Sequence, residues 1–176
     1  LQQAVGTAAI QARESVLAEQ AMIRLSACQG IEVLGSADAP RLPIFSLRFF
    51  YTDGSGGRQE LHYGFVVSLL NDLFGIQVRG GCSCAGPYAH TLLGMDMTFS
   101  RQVEAAVTCG VGVLRPGWVR LNFNYFIADE EFQYLLDALE LVASDGWKLL
   151  PFYRYDSIRG VWHHRDQVGQ REDLMA

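Results

Sequence analysis

The sequence predicts a compact α+β domain, because helical and strand-like hydrophobic patterns alternate irregularly along its 176 residues. Hydrophobic residues make up 49% of the chain and charged residues only 19%, which favours a buried core over disorder. The net charge of -5, without a basic stripe, argues against a nucleic-acid partner. Because no apolar run is long enough to cross a bilayer, we expect no membrane partner either.

The first predicted elements are one long helix and two strands. Apolar residues at helical spacing predict a helix from Leu1 to about Cys28, with Gly30 as its stop signal. Strands are predicted over Ile31 to Leu34 and over Ile44 to Tyr51. The second strand places on one face Phe45, Leu47, Phe49 and Tyr51, and on the other Ser46 and Arg48.

The middle of the chain predicts a loop, a strong helix, a short strand and a brief helix. The glycine-rich residues 53–57 are a loop, and the apolar stripe of residues 61–74 predicts a helix. A strand is predicted from Ile76 to Arg79. Pro87 fits the first turn of a brief helix that Gly94 closes.

The last third predicts two helices, a strand and a terminal hairpin. The pattern indicates a helix over residues 99–109 and a strand over 118–124. Asp129 is the predicted N-cap of a helix that Gly146 ends. Residues 149–164 are predicted to form a hairpin.

The segment from Arg79 to Cys84 brings several reactive or ligand-binding groups together directly before a helix start. The planar guanidinium of Arg79 matches a carboxylate, and Gly80 and Gly81 let the backbone approach a ligand closely. The thiolate of Cys84 is favoured by the positive field of a helix N-terminus, and Cys82 is a second thiol nearby. These residues therefore predict one edge of a site for a small carboxylated molecule.

Each of these residues also has a plainer interpretation. Arg79 could pair with a surface carboxylate, and Cys84 could be a small, inert apolar residue. Cys82 and Cys84 could hold a soft metal, but two ligands are too few, so we predict no metal site. His90 either lines a cleft or lies on a helix surface.

The start of the chain bears on its origin, and its cysteine content bears on its cellular location. The chain opens at Leu1 within a helical pattern, without Met and without a signal peptide, so we expect a piece of a longer protein. Four cysteines in 176 residues suit a reducing compartment, which favours a cytoplasmic location.

Three blocks of sequence carry a resemblance to a known family: LQQAVGT with ARE (residues 1–7 and 12–14), FGIQVRGGCSCAGP (74–87), and WVRLNFN with DEE (118–124 and 129–131). The chain resembles the C-terminal part of class V aminotransferase-fold enzymes, close to cysteine desulfurases and selenocysteine lyases. These enzymes are pyridoxal-phosphate (PLP)-dependent proteins of fold type I.

The resemblance implies a domain organisation and partners. Residues 1–28 would be the linking helix from a missing large PLP domain, and residues 29–176 the small C-terminal domain, a short, mostly antiparallel sheet packed with helices. The whole protein would be a PLP-dependent transferase or lyase that acts on a small amino acid. It would also form a homodimer.

The resemblance also implies residue roles. Arg79 matches an arginine that binds the substrate carboxylate, and Arg120 matches a second one in the same role. Cys84 matches the catalytic cysteine that takes sulfur from the substrate in desulfurases and holds it as a persulfide. Those enzymes have histidines or similar residues where this chain has Cys82 and Ser83, so desulfuration, selenide release, transamination and epimerisation all stay open. Gly80, Gly81, Cys82 and His90 are candidate pocket-lining residues.

The largest departure from the family is the lack of a lysine that matches the one binding the cofactor. Lys148 is the only lysine and matches no Schiff-base motif, whereas the family places that lysine upstream of the position of Leu1. We therefore expect this chain to bind no PLP covalently and to be inactive alone. The alternative function is a non-catalytic binding or persulfide-carrier module that retains the fold.

Overall fold

The computed structural model describes residues 2–36, 39–82 and 86–166, which form helices around a small antiparallel sheet. The α-helices are α1 (Gln2–Val5), α2 (Thr7–Ala27), α3 (Tyr63–Phe74), α4 (Gly86–Leu92), α5 (Met97–Thr108) and α6 (Asp129–Asp145). The strands are β1 (Ile31–Val33), β2 (Ile44–Thr52), β3 (Arg58–Leu61), β4 (Arg79–Gly81), β5 (Trp118–Asn122), β6 (Tyr153–Asp156) and β7 (Val161–His164). Two 3₁₀ segments lie at Gly112–Leu114 and Gly146–Phe152.

The main sheet has the order β1-β2-β5-β4, with β3 as an additional partner of β2. All of these pairs are antiparallel. Strand β1 occupies one edge of β2, because Leu47 pairs with Val33 there and with Val119 on the other edge. Strands β5 and β3 share that other edge, β5 along its first half and β3 along its second. The predicted α+β class with a short antiparallel sheet is thus confirmed.

One face of the sheet carries the main core. Helices α2, α3 and α6 pack on this face, and the predicted alternation along β2 is confirmed by the burial of Phe45, Leu47 and Phe49. Fully buried helix residues complete the core: Leu17, Leu25, Phe65, Leu69, Leu70, Phe132, Leu136 and Leu139. Burial of these side chains is the main favourable contribution to stability.

The opposite face, called here the outer face, carries polar residues and one small apolar cluster. Leu34, Ala89 and Trp118 form that cluster, so α4 covers only part of the outer face. The rest of this face carries charged side chains of the strands and the buried ring of Phe50, over which the guanidiniums of Arg48 and Arg58 lie.

Most predicted elements are present, with several differences. The single helix predicted from Leu1 to about Cys28 is interrupted at Gly6, whose φ of +89° separates α1 from α2. The first residues of the hairpin predicted over 149–164 belong instead to the 3₁₀ segment Gly146–Phe152.

Residues Arg58–Leu61 form strand β3, which was not predicted, and the helix predicted to begin at residue 61 starts at Tyr63 after the N-cap His62. The predicted strand over residues 76–79 lies three residues later, at β4. Asp129 is the first residue of α6, not its N-cap, which is Ala128.

Candidate functional site

Arg79 and Arg120 lie directly opposite each other on the neighbouring strands β4 and β5. Cross-strand partners point to the same face of a sheet, and Arg120 also pairs with Ser46, so both guanidiniums belong to the outer face. Arg79 is exposed and Arg120 is half-buried. In the sequence, Arg120 alternates with Val119 and Leu121, which predicts that it points away from these apolar neighbours; both are buried on the core face.

The two arginines lack counter-ions in the described part of the chain. Neither side chain makes a hydrogen bond or an ion pair with any described residue. Like charges directly opposite on adjacent strands destabilise a sheet. An anion bound between these guanidiniums would remove that repulsion.

Arg48 on the same face provides an internal comparison. Its guanidinium lies 2.6 Å from a Glu60 carboxylate oxygen and 3.4 Å from one of Glu32. Hydrogen bonding to Glu60 is the main reason why the pKa of Arg48 is raised, although burial opposes it. Among the residues that the structure describes, the outer face thus supplies two carboxylates to Arg48 and none to the Arg79–Arg120 pair.

Glycines bring β4 and the start of β5 into close contact beside Arg79. A Cβ atom on Gly117 would lie 2.6 Å from the Cα of Gly81 and 2.8 Å from Cε1 of Tyr63. A Cβ atom on Gly80 would lie 2.8 Å from Cδ2 of Tyr63 and 2.9 Å from Cγ2 of Val67. The Tyr63 ring therefore packs against the backbone at both positions. A Cβ at Gly117 would meet backbone as well, whereas one at Gly80 would require the side chains of Tyr63 and Val67 to shift.

Gly81 also has a backbone conformation that favours glycine, with φ of +115°. This residue pairs with Trp118 at the end of β4. Gly80 and Gly81 were predicted to let the backbone approach a ligand closely, and in the structure they let β4 pack closely against α3 and the start of β5. Their lining of a ligand pocket stays a prediction.

The apolar cluster adjoins the arginines on the outer face. Cys82 is half-buried and packs against the cluster of Leu34, Ala89 and Trp118. The indole N–H of Trp118 is buried, and no described residue accepts a hydrogen bond from it. Cys84, the predicted catalytic residue, lies outside the described residues, and its role stays a prediction.

His90 lies in α4 and joins this helix to α5. Its Nδ1 is 3.2 Å from the Oγ of Ser100, a buried residue whose hydroxyl also donates to the carbonyl of Asp96. This contact gives His90 a structural role in the position of α4. The predicted lining of a pocket by His90 is not tested by it.

The residues of this chain do not fit a covalent PLP anchor. The ammonium of Lys148 lies 2.5 Å from a carboxylate oxygen of Asp145, and both side chains are substantially exposed. Lys148 is the only lysine, and it lies in the 3₁₀ segment after α6, whereas Arg79 and Arg120 lie on the sheet. The site described here therefore offers anion-binding groups but no amine for the cofactor.

The described residues include neither a cluster of metal ligands nor a helix that could span a membrane. They contain no group of three or more His, Cys, Asp or Glu placed to hold a metal ion. Within the same ranges, no helix has both the length and the apolar character needed to cross a membrane.

Sequence reasoning missed two residues that shape the site. Tyr63 was part of a predicted helix, and its contact with Gly80 and Gly117 depends on the way strands meet, which no local pattern encodes. Arg115 lies close enough to Tyr63 to oppose the rise in its pKa that burial causes. It lies just before β5, between the helix predicted over residues 99–109 and the strand predicted over 118–124.

Comparison with known proteins gives one finding. The model of the family described as aminotransferase class-V matches residues 1–135. A search of curated proteins finds no match. The matched range includes Arg79, Arg120 and the whole main sheet, and it ends before the hairpin of β6 and β7.

Proposed function

We propose a substrate-binding role for this chain, which belongs to the aminotransferase class-V family. The family supports a PLP-dependent, aminotransferase-like domain. Within such an enzyme we propose that this chain is the small domain and that it binds the α-carboxylate of a small amino acid. Arg79 and Arg120 provide the guanidiniums.

One observation carries this proposal: two cross-strand arginines share a face and have no counter-ion among the described residues. A guanidinium presents two parallel N–H donors to a carboxylate, and such charge-assisted bonds are about twice as strong as neutral ones. Because Arg120 is half-buried, a bond to it is less exposed to competing water.

We further propose that PLP is held by another domain. The exposed ion pair of Lys148 with Asp145 supports this division, since the only lysine is engaged elsewhere. The small domain would then orient the substrate, which lowers the entropic cost of the reaction. A homodimer and a cytoplasmic location belong to the same proposal and follow from the family resemblance and the few thiols.

The reaction class depends on Cys84. We propose this residue as the sulfur acceptor of a desulfurase, by its match to the desulfurase cysteine. The protein including its PLP domain should release sulfide from L-cysteine in the presence of a thiol reductant. Formation of a keto acid from L-alanine without sulfide from L-cysteine would instead indicate a transaminase and would remove the sulfur role of Cys84.

Carboxylate binding can be tested on the chain with two matched probes. L-Alanine carries the carboxylate, and ethylamine is the same molecule without it. We expect L-alanine to shift the Nε–H NMR signals of Arg79 and Arg120 saturably, and ethylamine to leave them unchanged. Equal responses to both probes, or none to either, would contradict the proposal.

A further inference from the structure

The hairpin of β6 and β7 lies outside the residues that the family model matches, yet it packs on the helix beside the site. The hydroxyl of Tyr153 donates to a carboxylate oxygen of Asp72 at 2.9 Å. The hydroxyl of Ser68 donates to the backbone carbonyl of Trp162 at 2.7 Å. Because Asp72 and Ser68 both belong to α3, these bonds fix the hairpin on this helix.

The hairpin also reaches the N-terminus of α3 through a histidine. Nδ1 of His62 accepts hydrogen bonds from the backbone N–H of Gly64 and from Nε1 of Trp162, each at 3.0 Å. A nitrogen that accepts cannot carry a proton, so His62 is neutral and its proton is on Nε2. This bond joins the hairpin to the residue that caps α3.

Two ring contacts extend this connection to the strand of Arg79. The rings of His62 and Tyr63 stack with their centroids 4.4 Å apart. The Tyr63 ring then lies against Gly80, where an added Cβ would be only 2.8 Å away. Trp162, His62, Tyr63 and Gly80 therefore form a continuous series of direct contacts that ends one residue from Arg79.

The hairpin touches the approach to β5 as well. The hydroxyl of Tyr155 lies 3.1 Å from the position of a Cβ on Gly112, in the 3₁₀ segment before β5. Tyr155 also contacts the rings of His62 and Trp162, with centroids 6.0 and 5.8 Å away. One aromatic cluster thus supports the segments that lead to both arginines.

We propose that His62, Tyr63 and Trp162 are positioning residues that hold strand β4, and with it the Arg79 guanidinium, against β5. This inference rests on the proposed carboxylate-binding role of Arg79. The bond between Trp162 and His62 is its central contact, because it joins the hairpin to the rest of the cluster.

The hydrogen bond from Trp162 to His62 should depend on pH. Burial lowers the pKa of His62 from its ordinary value of 6.5, while the backbone of Val113 and the charge of Glu60 oppose part of this shift. Nε2 makes no hydrogen bond of regular geometry with any described residue. Tyr63 and Tyr155 are the other titratable groups against the ring.

Because the pKa of His62 is lowered in the folded protein, acidification destabilises the folded state. Below about pH 6.5 the unfolded chain binds the His62 proton more readily than the folded protein does. The stabilising contribution of neutral His62 is therefore complete above that pH and decreases as the pH falls towards the lower pKa of the folded state. Protonated Nδ1 could no longer accept from Trp162, so affinity for a carboxylate should fall as the pH drops through the folded-state pKa of His62, which lies below 6.5.

Trp162→Phe tests the inference because it keeps an aromatic ring and removes the N–H donor. Losing one such bond should weaken L-alanine binding about 2- to 10-fold at pH 7.5. It should also shift the amide signals of Gly80 and Gly81 and make the fall in affinity on acidification smaller. Trp147→Phe is the matched control, since Trp147 stacks on Tyr51 with ring centroids 5.4 Å apart and lies in the 3₁₀ segment after α6, not in the hairpin.

The outcomes separate this inference from the proposed function. If wild type binds L-alanine at Arg79 while Trp162→Phe leaves affinity, pH profile and glycine signals unchanged, the positioning role is wrong and carboxylate binding stands. If L-alanine leaves the Arg79 Nε–H signal unchanged in wild type, carboxylate binding is wrong. The positioning role then depends on whether Trp162→Phe, but not Trp147→Phe, still shifts that signal and those of Gly80 and Gly81.

Discussion

Replacing Arg79 by lysine should lower kcat/KM of the PLP-containing protein for its amino-acid substrate by about tenfold, mainly through a higher KM. An ammonium keeps the charge but cannot present two parallel donors to a carboxylate. Arg79→Gln, which also removes the charge, should cost about 100-fold, in line with roughly 1.5–3 kcal/mol for a hydrogen bond to a charged group. Steady-state kinetics with several amino acids would measure both effects.

Arg120→Lys extends this experiment. Because Arg120 is half-buried on the central strand β5, its substitution should cost at least as much as that of the exposed Arg79. The two arginines share one ligand in this proposal, so their effects should not add in the double variant. Strict additivity would indicate that they act on different groups.

Arg159→Lys is the matched control for these substitutions. Arg159 lies in the turn between β6 and β7, with an exposed side chain whose Nε is 3.9 Å from a carboxylate oxygen of Asp156. The same chemical change there should leave kcat/KM unchanged. If Arg79→Lys behaves like this control, Arg79 is not part of the substrate site.

The sequence predicted the outer-face position of Arg120 because strands have a side-chain period of two. The alternation of Ser46 and Arg48 with buried Phe45 and Leu47 identified the two faces of β2, and Val119 and Leu121 did the same for β5. Burial of one face imposes this pattern on the sequence, so it can be read without a structure.

Other features were not predictable from local patterns. Strand β3 has three exposed residues of four, so no apolar alternation distinguishes it from a loop. Strand β4 is short and two of its residues are glycines, which carry no side-chain pattern. The pairing of Arg79 with Arg120 depends on register between strands separated by α4, α5 and a 3₁₀ segment. Family resemblance, not periodicity, pointed to these two arginines together.

The two arginines and the crowded glycines lie on opposite faces of the same part of the sheet. On the outer face, Arg79 and Arg120 lie opposite each other without counter-ions among the described residues. On the other face, the Tyr63 ring fills the space that side chains at Gly80 and Gly117 would need. The position of one guanidinium relative to the other therefore depends on how closely β4 approaches β5.

Gly117→Ala should destabilise the protein by about 3 kcal/mol or more, because the new Cβ would meet backbone as well as a ring. It would lie 2.6 Å from the Cα and 2.7 Å from the carbonyl carbon of Gly81, and backbone cannot rotate away as a side chain can. Strand β4 would have to move from β5, so we also expect weaker L-alanine binding. Urea denaturation, followed by circular dichroism, would measure the loss of stability.

Two further alanine variants serve as comparisons for the loss of stability in Gly117→Ala. Gly54 has nothing within 4 Å of an added Cβ and no left-handed φ, so Gly54→Ala should change stability by no more than about 0.5 kcal/mol. Gly80→Ala should fall between the two, since the Cβ there meets only the side chains of Tyr63 and Val67, which can shift. If Gly117→Ala is as stable as Gly54→Ala, β4 can separate from β5 at no cost. The arginine spacing would then not be fixed by this contact, and the approach of the two strands could not be what presents a paired site to a carboxylate.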